Sequence, residues 1–383
     1  MTEPAGPARA TPLAARAPGP DLARGFMLLF IALANSHHFL RGATVRGGYP
    51  QDGSGLDSAV TWLLSTFVDG RAFPMFGLLF GYGVARIADR QRAAGPRRVR
   101  RLLWRRSLVL VAVGLLHAVL LFAGDILTAY GVLLLVGALL VRWRDRWLLV
   151  VAVLHLLLLA LPGDSALHVA PPEPALLPPD PAAAVVLRAQ LSLVVALAGP
   201  IGFLGPFVLG LWAGRRRVLE APSRHRTLLR VTAAAGLGAA ILGAQPVALV
   251  LAGATPVPGD GTAALYSSLH GVTGVLGGLG YAALFALLAD WLPTRARRPV
   301  TDAVAATGQR SMTCYLAQSP VWALVFTPFL LDLSGTLTVA GTALLAAATW
   351  AATVLLAGWL RRTGRRGPFE SLVRRVTYGA PPR

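Results

Sequence analysis

Long apolar runs with almost no charge are the feature that most constrains this chain. Residues 128–141 and 147–161 contain nearly nothing polar apart from isolated groups. Runs of about 15 to 25 apolar residues are what a hydrocarbon layer about 30 Å thick demands of a helix. Only 14% of the 383 residues are charged and 55% are hydrophobic, whereas soluble chains carry about 25% charged residues. The expected fold class is therefore all-α, a polytopic transmembrane helix bundle. About ten crossings are expected, at 22–40, 60–87, 105–123, 125–141, 147–162, 190–213, 229–252, 264–291, 310–331 and 336–360. In the second, Asp69, Gly70 and Pro74 interrupt the run, which predicts a short outer piece over 59–68 and a true crossing from Arg71.

Charge distribution sets the expected orientation. The net charge is +19, and all 36 basic residues are arginines. They cluster between apolar runs, at 97–106, 142–146, 215–217, 295–298 and 361–366. Positive residues in short loops mark the cytoplasmic face. With both termini inside, only Arg41, Arg46, Arg71 and Arg188 fall outside. This predicts an N-in, C-in protein of the cell (cytoplasmic) membrane, whose inner face meets anionic head groups. The arginines are distributed over helix ends, with no basic soluble domain, which argues against nucleic-acid binding. Nothing in the sequence sets the oligomeric state.

The expected organisation is a disordered cytoplasmic tail over 1–21, a membrane domain over 22–362 and a cytoplasmic tail over 363–383. Residues 1–20 hold no apolar core, so the first apolar segment reads as a retained helix rather than a cleaved leader. The six prolines within 163–189 predict a largely extended outer loop. Gly77/Gly81 and Gly274/Gly278 have the spacing that lets helices approach closely. Cys314 is the only cysteine, so an intramolecular disulfide is ruled out.

Ionisable groups within apolar runs are costly and mark candidate sites. His117 lies in the otherwise apolar stretch 114–122, and Asp125 follows across a turn at Gly124. A histidine held by a carboxylate is a general-base arrangement; the plain alternative is a bond that pins the hairpin. His37, His38 and His270 lie at a similar depth and either line a polar cavity or simply sit among head groups. His37 and His38 are adjacent and diverge on a helix, and no His/Cys spacing matches a zinc site, so no metal is expected.

Five stretches, taken in order, carry a family resemblance. They are Asp21-Leu-Ala-Arg24-Gly25 with Asn35 beyond it, Arg71-Ala-Phe-Pro-Met-Phe-Gly-Leu-Leu-Phe-Gly-Tyr-Gly83, and His117 with Gly124-Asp125-Ile-Leu-Thr-Ala-Tyr130-Gly131. Gly308-Gln-Arg-Ser-Met-Thr313-Cys-Tyr315-Leu-Ala-Gln318-Ser319 and Gly367-Pro-Phe-Glu370 complete the set. The chain resembles the YeiB-like membrane proteins (domain of unknown function 418), with a family-specific C-terminal half over about 226–379. That family is similar in its first helix to membrane acyltransferases, which place a catalytic histidine where this chain has Asn35. Gln309 and Cys314 also depart from the pattern of the YeiB-like branch.

The resemblance implies a membrane acyltransferase, moving an acyl group from a cytoplasmic thioester donor to a hydroxyl or amine on a small-molecule, lipid or glycan acceptor. His117 and Asp125 are then the catalytic candidates. Arg24, Asn35, Arg71, Tyr130, Tyr315 and Gln318 are the substrate-binding candidates, and His37, His38 and His270 additional cavity lining. No tightly bound cofactor is expected, and an acyl-coenzyme A-type donor would be a substrate. The alternative is a transporter or exporter of a small solute.

Overall fold

The computed structural model describes residues 18–163, 166–292 and 299–378. Among them the chain is an all-α bundle, with a two-stranded hairpin, β1 (Val45–Arg46) and β2 (Tyr49–Pro50), in one loop. The helices are α1 (Pro18–Ser36), α2 (Gly55–Phe67), α3 (Ala72–Arg90), α4 (Pro96–Leu120), α5 (Leu127–Leu140), α6 (Asp145–Leu159) and α7 (Pro181–Arg215). Then follow α8 (Arg226–Leu251), α9 (Asp260–Trp291), α10 (Pro299–Gln309), α11 (Ser311–Phe326), α12 (Val339–Arg362) and α13 (Pro368–Tyr378). Six helical stretches among the described residues are long and apolar enough to cross a membrane. Leucines and valines along α4, α6 and α7 are broadly exposed, as a hydrocarbon surround requires. This is a multi-pass membrane protein.

The expected interruption in the second segment is present. The chain breaks between α2 and α3 at Gly70, whose φ of +74° is open to glycine at little cost. Ser54 caps α2 through a reciprocal capping box with Asp57. The crossing expected over 310–331 starts there, as α11 after Arg310, but ends earlier, at Phe326, and the short helix α10 precedes it. Arg310 donates to the Arg365 carbonyl, at 2.7 Å from Nη2, and to the Ala306 carbonyl at 3.3 Å. The proline-rich stretch expected outside is shorter than expected, because α7 starts at Pro181. Proline is tolerated in a first helical turn, and the Asp180 carboxylate caps it, accepting from Ala183 N at 2.9 Å. Helix α1 begins at Pro18, so residues 18–21 of the expected tail are helical; residues 1–17 lie outside the described residues. Within 363–378, α13 packs on α4 and α11.

Glycine stripes set the helix crossings. Gly81 of α3 lies against the Phe207 carbonyl of α7, and Gly210 of α7 against the Leu78 carbonyl, so neither position has room for a Cβ. Gly274 and Gly278 of α9 meet the Gly70 carbonyl and the first turn of α3. Gly25 of α1 abuts the Val304 carbonyl and Gly308 of α10 abuts the Asp21 carbonyl. The Arg24-Gly25 and Gly308 stretches are thus two sides of one close crossing, beside which Trp350 donates to Gly25 O at 2.9 Å.

Contacts between loops fall into two sets. Arg86–Glu220, Arg215–Asp145 and Arg361–Asp302 join segments at one end of the bundle, at 2.9, 2.6 and 3.0 Å. At the other end, Arg41 meets Asp332 at 3.2 Å, Arg46 donates to Leu167 O at 3.0 Å and Ser268 donates to Leu161 O at 2.7 Å. The first set joins segments expected inside and the second joins segments expected outside.

Candidate functional site

The turn from α4 to α5 builds the first polar cluster. His117 projects from the last turn of α4, and its Nδ1 lies 2.9 Å from Asp125 Oδ1. A carboxylate accepts, so the proton sits on Nδ1 and Nε2 carries the lone pair. Asp125 Oδ2 accepts from Thr128 N at 3.1 Å and Thr128 Oγ1 at 3.3 Å, at the N-terminal turn of α5. Gly114 leaves room for that loop, since a Cβ there would strike Thr128 and Asp125. Tyr315 of α11 donates to Asp125 Oδ1 at 3.3 Å and accepts from Ile126 N at 3.3 Å. His117, Asp125 and Tyr315 are all buried. His117 Nε2 is buried without a hydrogen-bond partner.

Tyr315 also forms part of the wall of a cavity of about 330 Å³. Its deep wall is largely apolar, with Met27, Phe76, Leu110 and Leu127 beside Tyr130. Tyr130 stacks on Phe203 with ring centroids 4.7 Å apart. Elsewhere the wall is basic: Arg86 and Arg310 are buried, Arg24, Arg106, Arg366 and Arg374 are half-buried, and Arg90 is exposed at the rim. Three carboxylates, Asp21, Glu220 and Glu370, share that wall. Arg24 is held by Asp21 at 3.2 Å and by Leu79 O at 3.2 Å.

Helix α13 closes one side of the cavity, and Glu370 anchors it. The Glu370 carboxylate accepts from Met312 N at 2.9 Å, Thr313 N at 3.1 Å and Thr313 Oγ1 at 2.5 Å. These are unpaired donors at the start of α11, where a negative charge is favoured. The Gly367-to-Glu370 stretch is therefore a clamp on the Gly308-to-Ser319 stretch.

The other candidates lie elsewhere. Arg71, at the start of α3, is fully buried and donates to the Asp69 carbonyl, to Ala240 O at 2.8 Å and to His270 Nε2 at 3.0 Å. His270 must accept there, so its proton lies on Nδ1. His37 stacks on Tyr49 with centroids 3.9 Å apart, and Tyr49 donates to Asp69 Oδ2 at 2.6 Å. Burial, then the neighbouring Asp69 carboxylate, pushes the Tyr49 phenol well above its ordinary range. His38 is exposed beside His37. Gln318 is buried and donates to Leu28 O at 3.4 Å, while Asn35 is half-buried near the end of α1.

The structure thus sorts the candidates into three groups. His117, Asp125 and Tyr315 join, and Tyr315, Tyr130 and Arg24 line the cavity. Arg71, His270 and His37 form a separate cluster with Asp69 and Tyr49. The sequence reading missed Arg106, Arg310, Arg366, Arg374 and Glu370 as cavity residues. For Arg310 and Glu370 the signal was their place within the family-like stretches; for the others, arginines near helix ends look like topology signals alone.

Comparison with known proteins follows this division of the chain. Residues 213–380 match the family model described as Protein of unknown function (DUF418). The DUF418-matched segment runs from the end of α7 through α13, close to the expected 226–379. It supplies Arg310, Tyr315, Glu370 and Arg374, while His117, Asp125 and Arg24 lie before it. The chain is also similar to "Uncharacterized protein YxaH" of Bacillus subtilis (strain 168), at 26% identity over 394 residues. That match covers 94% of this chain and 93% of the relative, so the likeness extends beyond the DUF418-matched segment to both halves of the cavity.

Proposed function

We propose that this chain is an enzyme of the cell membrane with ten crossings and both termini inside, and that it transfers an acyl group. The donor is a thioester entering from the cytoplasmic face, and the acceptor carries a hydroxyl or amine. The observation that carries the reading is the unpartnered, buried His117 Nε2. Asp125 fixes the ring so that this nitrogen is the basic one, and Tyr315 connects the pair to the cavity wall.

The step balances as follows. His117 Nε2 takes the acceptor's proton while the acceptor oxygen or nitrogen bonds to the thioester carbonyl carbon. The carbon–sulfur bond then breaks, and the leaving thiolate recovers the proton from His117. Asp125 stabilises the imidazolium formed between these events. In the resting structure Tyr315 stands between cavity and imidazole, with ring centroids 5.6 Å apart. Its side chain must shift for the acyl carbon to reach His117. The positive-inside rule supports placing the basic rim in the cytoplasm. Arg71, distant from this pair, has a structural role in the reading, joining α3, α8 and α9.

The test is transfer of a radiolabelled acyl group from a coenzyme A thioester by the purified protein in nanodiscs. His117→Gln is expected to lower the rate at least about a hundredfold, within the range general-base catalysis provides, with an unchanged unfolding temperature. Full activity in that variant would contradict the mechanism. Solute flux in proteoliposomes lacking any acyl donor would favour a transporter instead.

A further inference from the structure

The charge balance of the cavity wall identifies the kind of ligand it is built for. Seven arginines meet three carboxylates there, and each of these carboxylates already has protein partners. Asp21 bonds Arg24, Glu220 bonds Arg86 at 2.9 Å, and Glu370 is bound by amides and a hydroxyl of α11. Arg310 donates to the Ala306 and Arg365 carbonyls, and the wall as a whole carries four more guanidinium groups than carboxylates. An excess of guanidinium groups around a partly enclosed volume concentrates anions. Their planar forks suit phosphate oxygens in particular. The deep wall is apolar, and about 330 Å³ is at the small end of ligand sites. The volume suits a single short chain.

We infer that this cavity binds an organic phosphate with at least two negative charges at the basic rim and one short apolar chain pointing to Tyr130 and Tyr315. The inward direction of the chain rests on the transfer reading; the charge class of the ligand stands on the wall composition. Helix α13 contributes Glu370, Val373, Arg374 and Tyr378 to the wall, so binding stiffens α13 against α4 and α11.

Calorimetric titration of the nanodisc-embedded protein with n-butyl diphosphate tests the inference, with inorganic diphosphate and n-butanol as comparison probes. n-Butyl diphosphate is expected to bind most tightly, more weakly at high salt, and equally well to His117→Gln. Arg374→Gln and the exposed rim variant Arg90→Gln are each expected to weaken it about tenfold. Equal binding of n-butanol, or no effect of salt and of both arginine variants, would overturn the inference. Adding phosphatidate to the nanodisc separates the ligand sources. Displacement of the probe would overturn the single-chain limit, and undisturbed binding supports a soluble organic phosphate. Failure of acyl transfer with n-butyl diphosphate binding intact would remove the transfer reading and leave this site standing.

Discussion

Glu370 shows how one side chain organises a region of this protein. Its carboxylate satisfies two amides and a hydroxyl at the start of α11, and it lies on α13. Glu370→Ala should lower stability by about 2 kcal/mol, the scale of hydrogen bonds to a charged group, read as a fall in unfolding temperature in detergent. Glycines offer a sharper contrast. Gly308→Ala would drive a methyl into the Asp21 backbone, whereas Gly271→Ala meets nothing within 4 Å. The first is expected to destabilise by about 1–3 kcal/mol and the second to stabilise by up to about 1 kcal/mol. Equal effects of the two would mean that the α1–α10 crossing is looser than described.

At the scale of elements, the α6–α7 junction supplies a pH-dependent link. Partial burial pushes Asp145 upward, but hydrogen bonds from Arg215 and Arg216 outweigh it and hold its carboxyl below the usual range. A lowered folded-state pKa adds stability that is fully present above the ordinary carboxylate value. That contribution is lost as pH falls through the lower, folded-state value. Stability of the wild-type protein should therefore decline on acidification in that window more steeply than that of Asp145→Asn. Parallel curves would remove the link. Most helices were legible because a membrane forces the apolar run to match helix length. Helix α10 was not, because the 11 residues of Pro299–Gln309 are too few to read as a crossing. His117 and Asp125 were legible as a pair because one turn separates them. His270 stood out by depth and Arg71 by its family-like stretch, yet their contact spans 199 positions and nothing local announces it.

On the scale of the whole molecule, one end gathers the arginines and the cavity, and the other gathers Arg71, His37, Tyr49 and their partners. The cavity was invisible in the sequence because its arginines come from α1, α3, α4, the α10–α11 break and the α13 region, each resembling an ordinary positive flank. The account stands on that basic rim facing the cytoplasm while the proline-rich loop faces out. Accessibility of single cysteines in intact cells measures this directly. Arg374→Cys and Pro174→Cys, each in a Cys314→Ser background, are treated with a membrane-impermeant maleimide. Cysteine at 174 should react in intact cells and cysteine at 374 only after permeabilisation; the reverse pattern would contradict the account.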